Sequence, residues 1–196
     1  GQFIELSHHM THAANAFFSS NFKNSLILTI DGGGNESENT STCATIYEGK
    51  NNQIKKVNVF NAGELNLASG WNLVARLFNL SVGFPKGNQA GTVMAMASMS
   101  DSEKYVEPLV ELMTNVNPQK AYFELGIESI KLSNLKENKL VTKIFETTQF
   151  SEQNKFDIAS SLQKASELIV KATIEKFLGE HTELCIAGGC ALNSVI

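Results

Sequence analysis

Apolar positions along this chain change their spacing several times, and each change marks an element. Positions 8–19 mix His, Ala and Phe without Gly or Pro, and Ser7 stands where an N-cap belongs, so a helix is predicted there. Ser25 to Asp31 is a short apolar run ending in an acid and bounded by Gly32-Gly33-Gly34, which predicts a buried strand and a tight turn. Further strands are predicted over Thr42–Glu48 and Ile54–Phe60, with a turn at Gly49-Lys50-Asn51-Asn52 between them. Strand, turn, strand, turn, strand is a β-meander. The period then becomes helical. Apolar residues at 71, 74, 77 and 78 predict a helix over Trp71–Leu80, and two more are expected from about Thr92 and over Glu103–Met113. Residues 115–155 are polar and weakly patterned, as in a variable insertion. Phe156–Leu178 carries an apolar stripe of Ile158, Leu162, Ala165, Leu168, Ile169, Ala172 and Ile174, and Gly179 stands in the usual C-terminal position. Leu184–Ala187 is a last buried strand, running into Gly188-Gly189.

These elements predict an α/β fold: a mixed sheet with a β-meander, helices packed on it and a long crossover helix. Composition agrees with a water-soluble domain, at 42% hydrophobic and 18% charged residues over 196 positions. A formal charge of -4 lacks the basic stripe of a nucleic-acid binder. No apolar run is long enough to span a bilayer, and the opening residues lack the pattern of a secretion signal. Cys43, Cys185 and Cys190 form no regular framework, so reduced thiols and a cytoplasmic location are expected.

Three groups of residues can carry chemistry. His8 and His12 lie one turn apart on a helix face, a spacing that lets two imidazoles reach one metal ion. The metalloprotease pattern needs Glu after the first His, and His9 stands there instead. Two His ligands leave a site incomplete, and either Asp31 or a residue outside the chain can finish it. Asp31-Gly32-Gly33-Gly34 offers backbone N–H groups to a phosphate and an acid to a metal, and fits a tight hairpin turn equally well. Cys185 to Asn193 brings an apolar strand onto Gly188-Gly189, where a phosphate or adenosine can approach, and it fits a plain strand-to-helix turn as well.

In this order and spacing, the three groups resemble the O-carbamoyltransferases of antibiotic and nodulation-factor biosynthesis. His8-His9-Met10-Thr11-His12-Ala13-Ala14-Asn15-Ala16-Phe17-Phe18-Ser19-Ser20-Asn21-Phe22 is similar to the family's H-H-x-x-H-A-A-S-A-F-Y-x-S-x-F. Asp31-Gly32-Gly33-Gly34 resembles its D-G-x-G turn, and Gly188-Gly189-Cys190-Ala191-Leu192-Asn193 its G-G-V-A-L-N. The resemblance implies an actin-like, ribonuclease H-like domain of two lobes with ATP between them. It implies that His8 and His12 hold a divalent metal (iron, zinc or manganese), together with a later Asp. It implies that Asp31, Gly32, Gly33, Gly34, Gly188, Gly189 and Asn193 bind the nucleotide, and that His9 and Asp31 are candidates for catalysis, His9 as a general base. Carbamoyl phosphate and ATP would give a carbamoyl-adenylate, whose carbamoyl group passes to a hydroxyl of a small molecule. Residues 1–196 would then be part of one such domain, without the second, carbamoyl-adenylate-forming domain and without the later Asp.

The chain departs from the family pattern at Asn35, where Glu is usual, and in Gly91-Thr92-Val93-Met94-Ala95, where Thr92 replaces Lys and Ala95 replaces Gly. Two other readings follow. One is the tRNA threonylcarbamoyl-transfer subunit, which shares the H-x-x-x-H spacing; the other is a non-catalytic nucleotide-binding protein of actin-like fold.

Overall fold

The computed structural model describes residues 6–37, 40–78, 80, 89–114 and 151–196. Helix α1 spans His8–Ser19. Strands β1 (Asn24–Ser37), β2 (Thr40–Lys50) and β3 (Gln53–Asn61) follow. Then come α2 (Leu67–Leu77), α3 (Ala90–Ala97), α4 (Val106–Thr114) and α5 (Glu152–Leu178). Strand β4 (Leu184–Ala187) and a short 3-10 helix over Gly189–Leu192 close the described chain.

The sheet order is β3-β2-β1-β4, with β1, β2 and β3 antiparallel and β4 parallel to β1. This is the mixed α/β sheet with a meander that the pattern predicts. Alternation along β1 sorts its side chains onto two faces. Leu26, Leu28 and Ile30 join Ala44 and Ile46 beneath α2, α4 and α5 in the larger core. Ile27 faces the other way and packs with Tyr47, Cys185, Ala13 and Phe17 beneath α1. Thr29 and Asp31 continue that second face, so the sheet's alternation aims them toward α1.

Three sequence expectations change. The glycines do not end β1. The strand runs through Gly32–Gly34 to Ser37, with a step in its register against β2 between Ile30 and Gly34. Glycine permits this irregularity within a strand, so Asp31 sits at a bulge and not at a hairpin turn. The stripe of α5 is also less apolar than predicted. Ile158, Leu162, Ala165 and Ile169 are buried, but Leu168 is 43% exposed and Ser161, Ser166 and Thr173 are buried instead. Ser166 and Thr173 satisfy their hydroxyls on carbonyls one turn back, and Ser166 also receives the Trp71 indole N–H at 3.0 Å. Helix α2 starts at Leu67, earlier than predicted, because the Asn66 side chain caps it through the Ser69 amide at 3.1 Å. Most of the expected insertion over 115–155 lies outside the described residues; Ser151 caps α5, which begins at Glu152.

Candidate metal centre

The first turn of α1 stands against the end of β1. The Ser7 hydroxyl accepts the Met10 amide at 3.2 Å, and Thr11 Oγ1 donates to the Ser7 carbonyl at 2.9 Å, which fixes the helix start at His8. His8 and His12 then share one helix face, their rings 4.7 Å apart at 85°. Both Nε2 atoms point at one carboxylate oxygen. Asp31 Oδ2 is 3.2 Å from His8 Nε2 and 2.9 Å from His12 Nε2. One ligand atom from each of the three residues lies within 4.8 Å of the others. The side chains of His8, His12 and Asp31 are 43%, 35% and 22% exposed, so the cluster is open to solutes.

These residues fit a divalent cation. Metal bonds of 2.0–2.1 Å place donors roughly 3.3 Å apart around a tetrahedral ion, close to the two spacings observed. Two imidazoles and one carboxylate suit iron, zinc or manganese, and three protein ligands leave further positions for a reactant. The backbone and His8 hold Asp31 ionised. Burial alone would raise its pKa. The Gly32 N–H at 2.6 Å, the His8 ring and the Gly189 N–H at 3.2 Å outweigh burial and hold the carboxyl below its usual value.

The glycines expected to bind nucleotide have separate geometric roles. A Cβ on Gly34 would stand 2.5 Å from His8 Cδ2, so Gly34 leaves the space that the His8 ring occupies. Gly188 has φ +99°, and a Cβ there would collide with the Ile30 carbonyl oxygen. This close approach brings the Gly189 N–H onto Asp31. A cavity of about 200 Å³ opens beside the carboxylate, bounded by Asp31, Gly32, Trp71, Met94, Gly189 and Asn193. Asn193 borders it with both amide atoms engaged, on Gln163 Oε1 at 2.8 Å and the Val195 N–H at 3.2 Å. Gly33 has φ +147° within the bulge.

His9 is not where a general base must be. It is 0% exposed, and its two ring nitrogens face Thr29 Oγ1 and the Thr42 carbonyl, each at 2.9 Å. A ring so enclosed has both nitrogens engaged, whereas the expected general base needs one facing an acceptor hydroxyl. Nothing in the spacing of His8, His9 and His12 separates the buried ring from the exposed pair; only the seat of α1 on the sheet does. Sequence also left open whether Asp31 stands with the two histidines. The clue was the apolar run Leu26–Ile30, whose alternation carries Asp31 to the side of α1. Trp71 was missed as a cavity wall because its spacing reads as the apolar side of a helix, and Met94 because the Gly- and Met-rich stretch around it has no clear period. Thr92 and Ala95 are exposed on α3 outside the cavity, and Thr92 Oγ1 is 3.1 Å from Gln89 Oε1.

The described residues define an α/β domain with a mixed sheet, whose parallel strand pair ends at a His-His-Asp cluster and a glycine-walled cavity. The chain belongs to the carbamoyltransferase N-terminus family, whose model matches residues 2–196. It is similar to uncharacterized protein sll1178 of Synechocystis sp., at 28% identity over 96% of this chain and 30% of that protein. It is also similar to nodulation protein NolO of Bradyrhizobium diazoefficiens, at 26% identity over 97% of this chain and 32% of that protein. The chain thus spans about a third of the length of these curated relatives. Among the described residues, no helix is long and apolar enough to cross a membrane.

Proposed function

We propose that the protein transfers a carbamoyl group, activated as a carbamoyl-adenylate from carbamoyl phosphate and ATP, to a hydroxyl of a small molecule. The observation that carries this reading is the convergence of His8, His12 and Asp31 at the end of β1, in a chain of the carbamoyltransferase family. A divalent metal held by these three residues would act as a Lewis acid toward the carbamoyl group. The chain's own residues would do the rest. Gly32 and Gly189 orient the Asp31 carboxylate through their N–H groups and keep it ionised. The cavity beside Asp31, with Trp71 and Met94 as apolar walls, would receive part of the activated donor and shield it from water. The small Gly32–Gly34 and Gly188–Gly189 segments would let its phosphate approach the backbone closely. In the transfer, the acceptor oxygen bonds to the carbamoyl carbon, the bond from that carbon to the adenylate oxygen breaks, AMP leaves and the hydroxyl proton is lost to solvent or base.

The protein at its full natural length, supplied with carbamoyl phosphate, ATP and a panel of hydroxylated small molecules, should release AMP and form a carbamate ester. Replacing His8 and His12 together by Ala should cut product formation by roughly 100-fold or more, the scale of losing a reacting centre's electrostatic stabiliser. Equal turnover by the double variant would end the metal reading. Product on tRNA, with none on small molecules, would favour the threonylcarbamoyl-transfer alternative. Nucleotide binding with neither metal nor turnover would favour a non-catalytic protein.

A further inference from the structure

His9 lies between the two ligand histidines in sequence, yet it turns into the protein. Its Nε2 is 2.9 Å from the Thr42 carbonyl oxygen and its Nδ1 is 2.9 Å from Thr29 Oγ1. A carbonyl oxygen only accepts, so Nε2 carries the proton. The Thr29 hydroxyl lies 2.9 Å from His9 Nδ1 and donates to the Thr45 carbonyl at 3.3 Å. One buried ring therefore ties α1 to β1 and to β2 at once. The tie points matter. Thr29 stands two residues before Asp31 on the same face of β1. Thr42 faces Gly34 across the sheet, at the step in the register, and Gly34 leaves the space for the His8 ring.

We propose that His9 is a positioning residue for the ligand cluster: its bonds to Thr29 and to the Thr42 carbonyl set the rotation of α1 so that His8 and His12 converge on Asp31. Directed bonds are needed for this. An apolar side chain of similar volume would fill the same space but would hold the helix at any nearby angle. A ring with two bonds at defined directions selects one. The inference deepens the reading of His8, His12 and Asp31 as ligands and rests on it.

The test uses the full-length protein, with Co²⁺ as probe. Thr29→Val removes one bond with little change in shape, Thr29→Ser restores the hydroxyl, and His9→Phe fills the ring's space without bonds. Variants that keep the wild-type circular dichroism are compared, with Thr29→Ala standing in if Thr29→Val does not fold. Thr29→Val and His9→Phe should bind Co²⁺ about 10–100-fold more weakly, as losses behind a metal ligand do. Their visible cobalt absorption should shift, while Thr29→Ser should match wild type. Unchanged affinity and absorption in both variants, with only a lower Tm, would overturn the proposal and leave His9 as core. A wild type that binds no Co²⁺ sinks the ligand reading itself. In that case the ring ¹⁵N resonances of His8 and His12 decide the positioning. They should move in Thr29→Val and return in Thr29→Ser, and resonances that stay fixed would sink it too.

Discussion

At Asp31, the two carboxylate oxygens take bonds from the Gly32 and Gly189 amides and lie against the His8 and His12 rings. Its neighbours matter as much as its charge. Gly34→Ala would push a methyl group into the His8 ring, and displacing that ring should cost about 1–3 kcal/mol in stability, as overpacking does. Divalent-metal affinity should fall with it, which urea denaturation and metal titration would measure together; unchanged affinity would mean that His8 is not held there. The thiols near the cluster give a second residue-scale prediction. Burial, with the Asp31 charge nearby, pushes Cys43 up to about 11; burial, then Asp31 and Cys43, pushes Cys190 up to about 12. The thiolate is the reactive form, so at pH 8 only about one thiol in a thousand or fewer is reactive at these sites. Iodoacetamide should leave both unmodified in the native protein and label both in urea, as read by mass spectrometry. Rising pH should restore native reactivity only above pH 10. At this scale the pairing of His8 with His12 was legible in sequence, because helical spacing fixes which residues share a face, while sequence left open whether Asp31 stands with them. The fate of His9 was not legible, because burial of one of two adjacent histidines is decided by how deeply α1 sits.

The seat of α1 brings His8 and His12 to Asp31. Its capping hydroxyl on Ser7 and the close packing of Phe17 over Gly49, where a Cβ would come within 2.6 Å of the ring, hold its two ends. Ser7→Ala should lower stability by about 1 kcal/mol, the usual loss for a helix N-cap, and a loss near zero in denaturant unfolding would mean that the cap is not used. The junction of β4 with β1 is a second close contact. Gly188→Ala would place a Cβ against the Ile30 carbonyl at a backbone angle of φ +99°. Strain of this kind costs about 1–3 kcal/mol before the collision is counted, so the variant should unfold at clearly lower temperature and lose the Gly189 bond to Asp31. A wild-type melting curve would contradict that account. Element types and order were legible from periodicity, and β4 was placed at Leu184–Ala187 as predicted. The glycine run misled, because glycine marks a bulge as readily as a turn, and the pairing partner that decides between them lies in β2. In α5 the stripe missed Ser166 and Thr173, which bury their hydroxyls on the helix's own carbonyls.

On the scale of the whole molecule, a β-meander, a parallel fourth strand and helices on both faces bring two distant glycine segments to one strand end. Thus residues from the first helix and from the end of the described chain meet around Asp31. The central claim is that His8, His12 and Asp31 together hold one divalent metal that serves carbamoyl transfer. The most direct test is the metal content of the full-length protein, measured by mass spectrometry after reconstitution with Zn²⁺ or Mn²⁺, against the His8→Ala, His12→Ala double variant of unchanged fold. The account predicts one equivalent of metal fewer per chain in the variant. Equal metal content in the two proteins would contradict it.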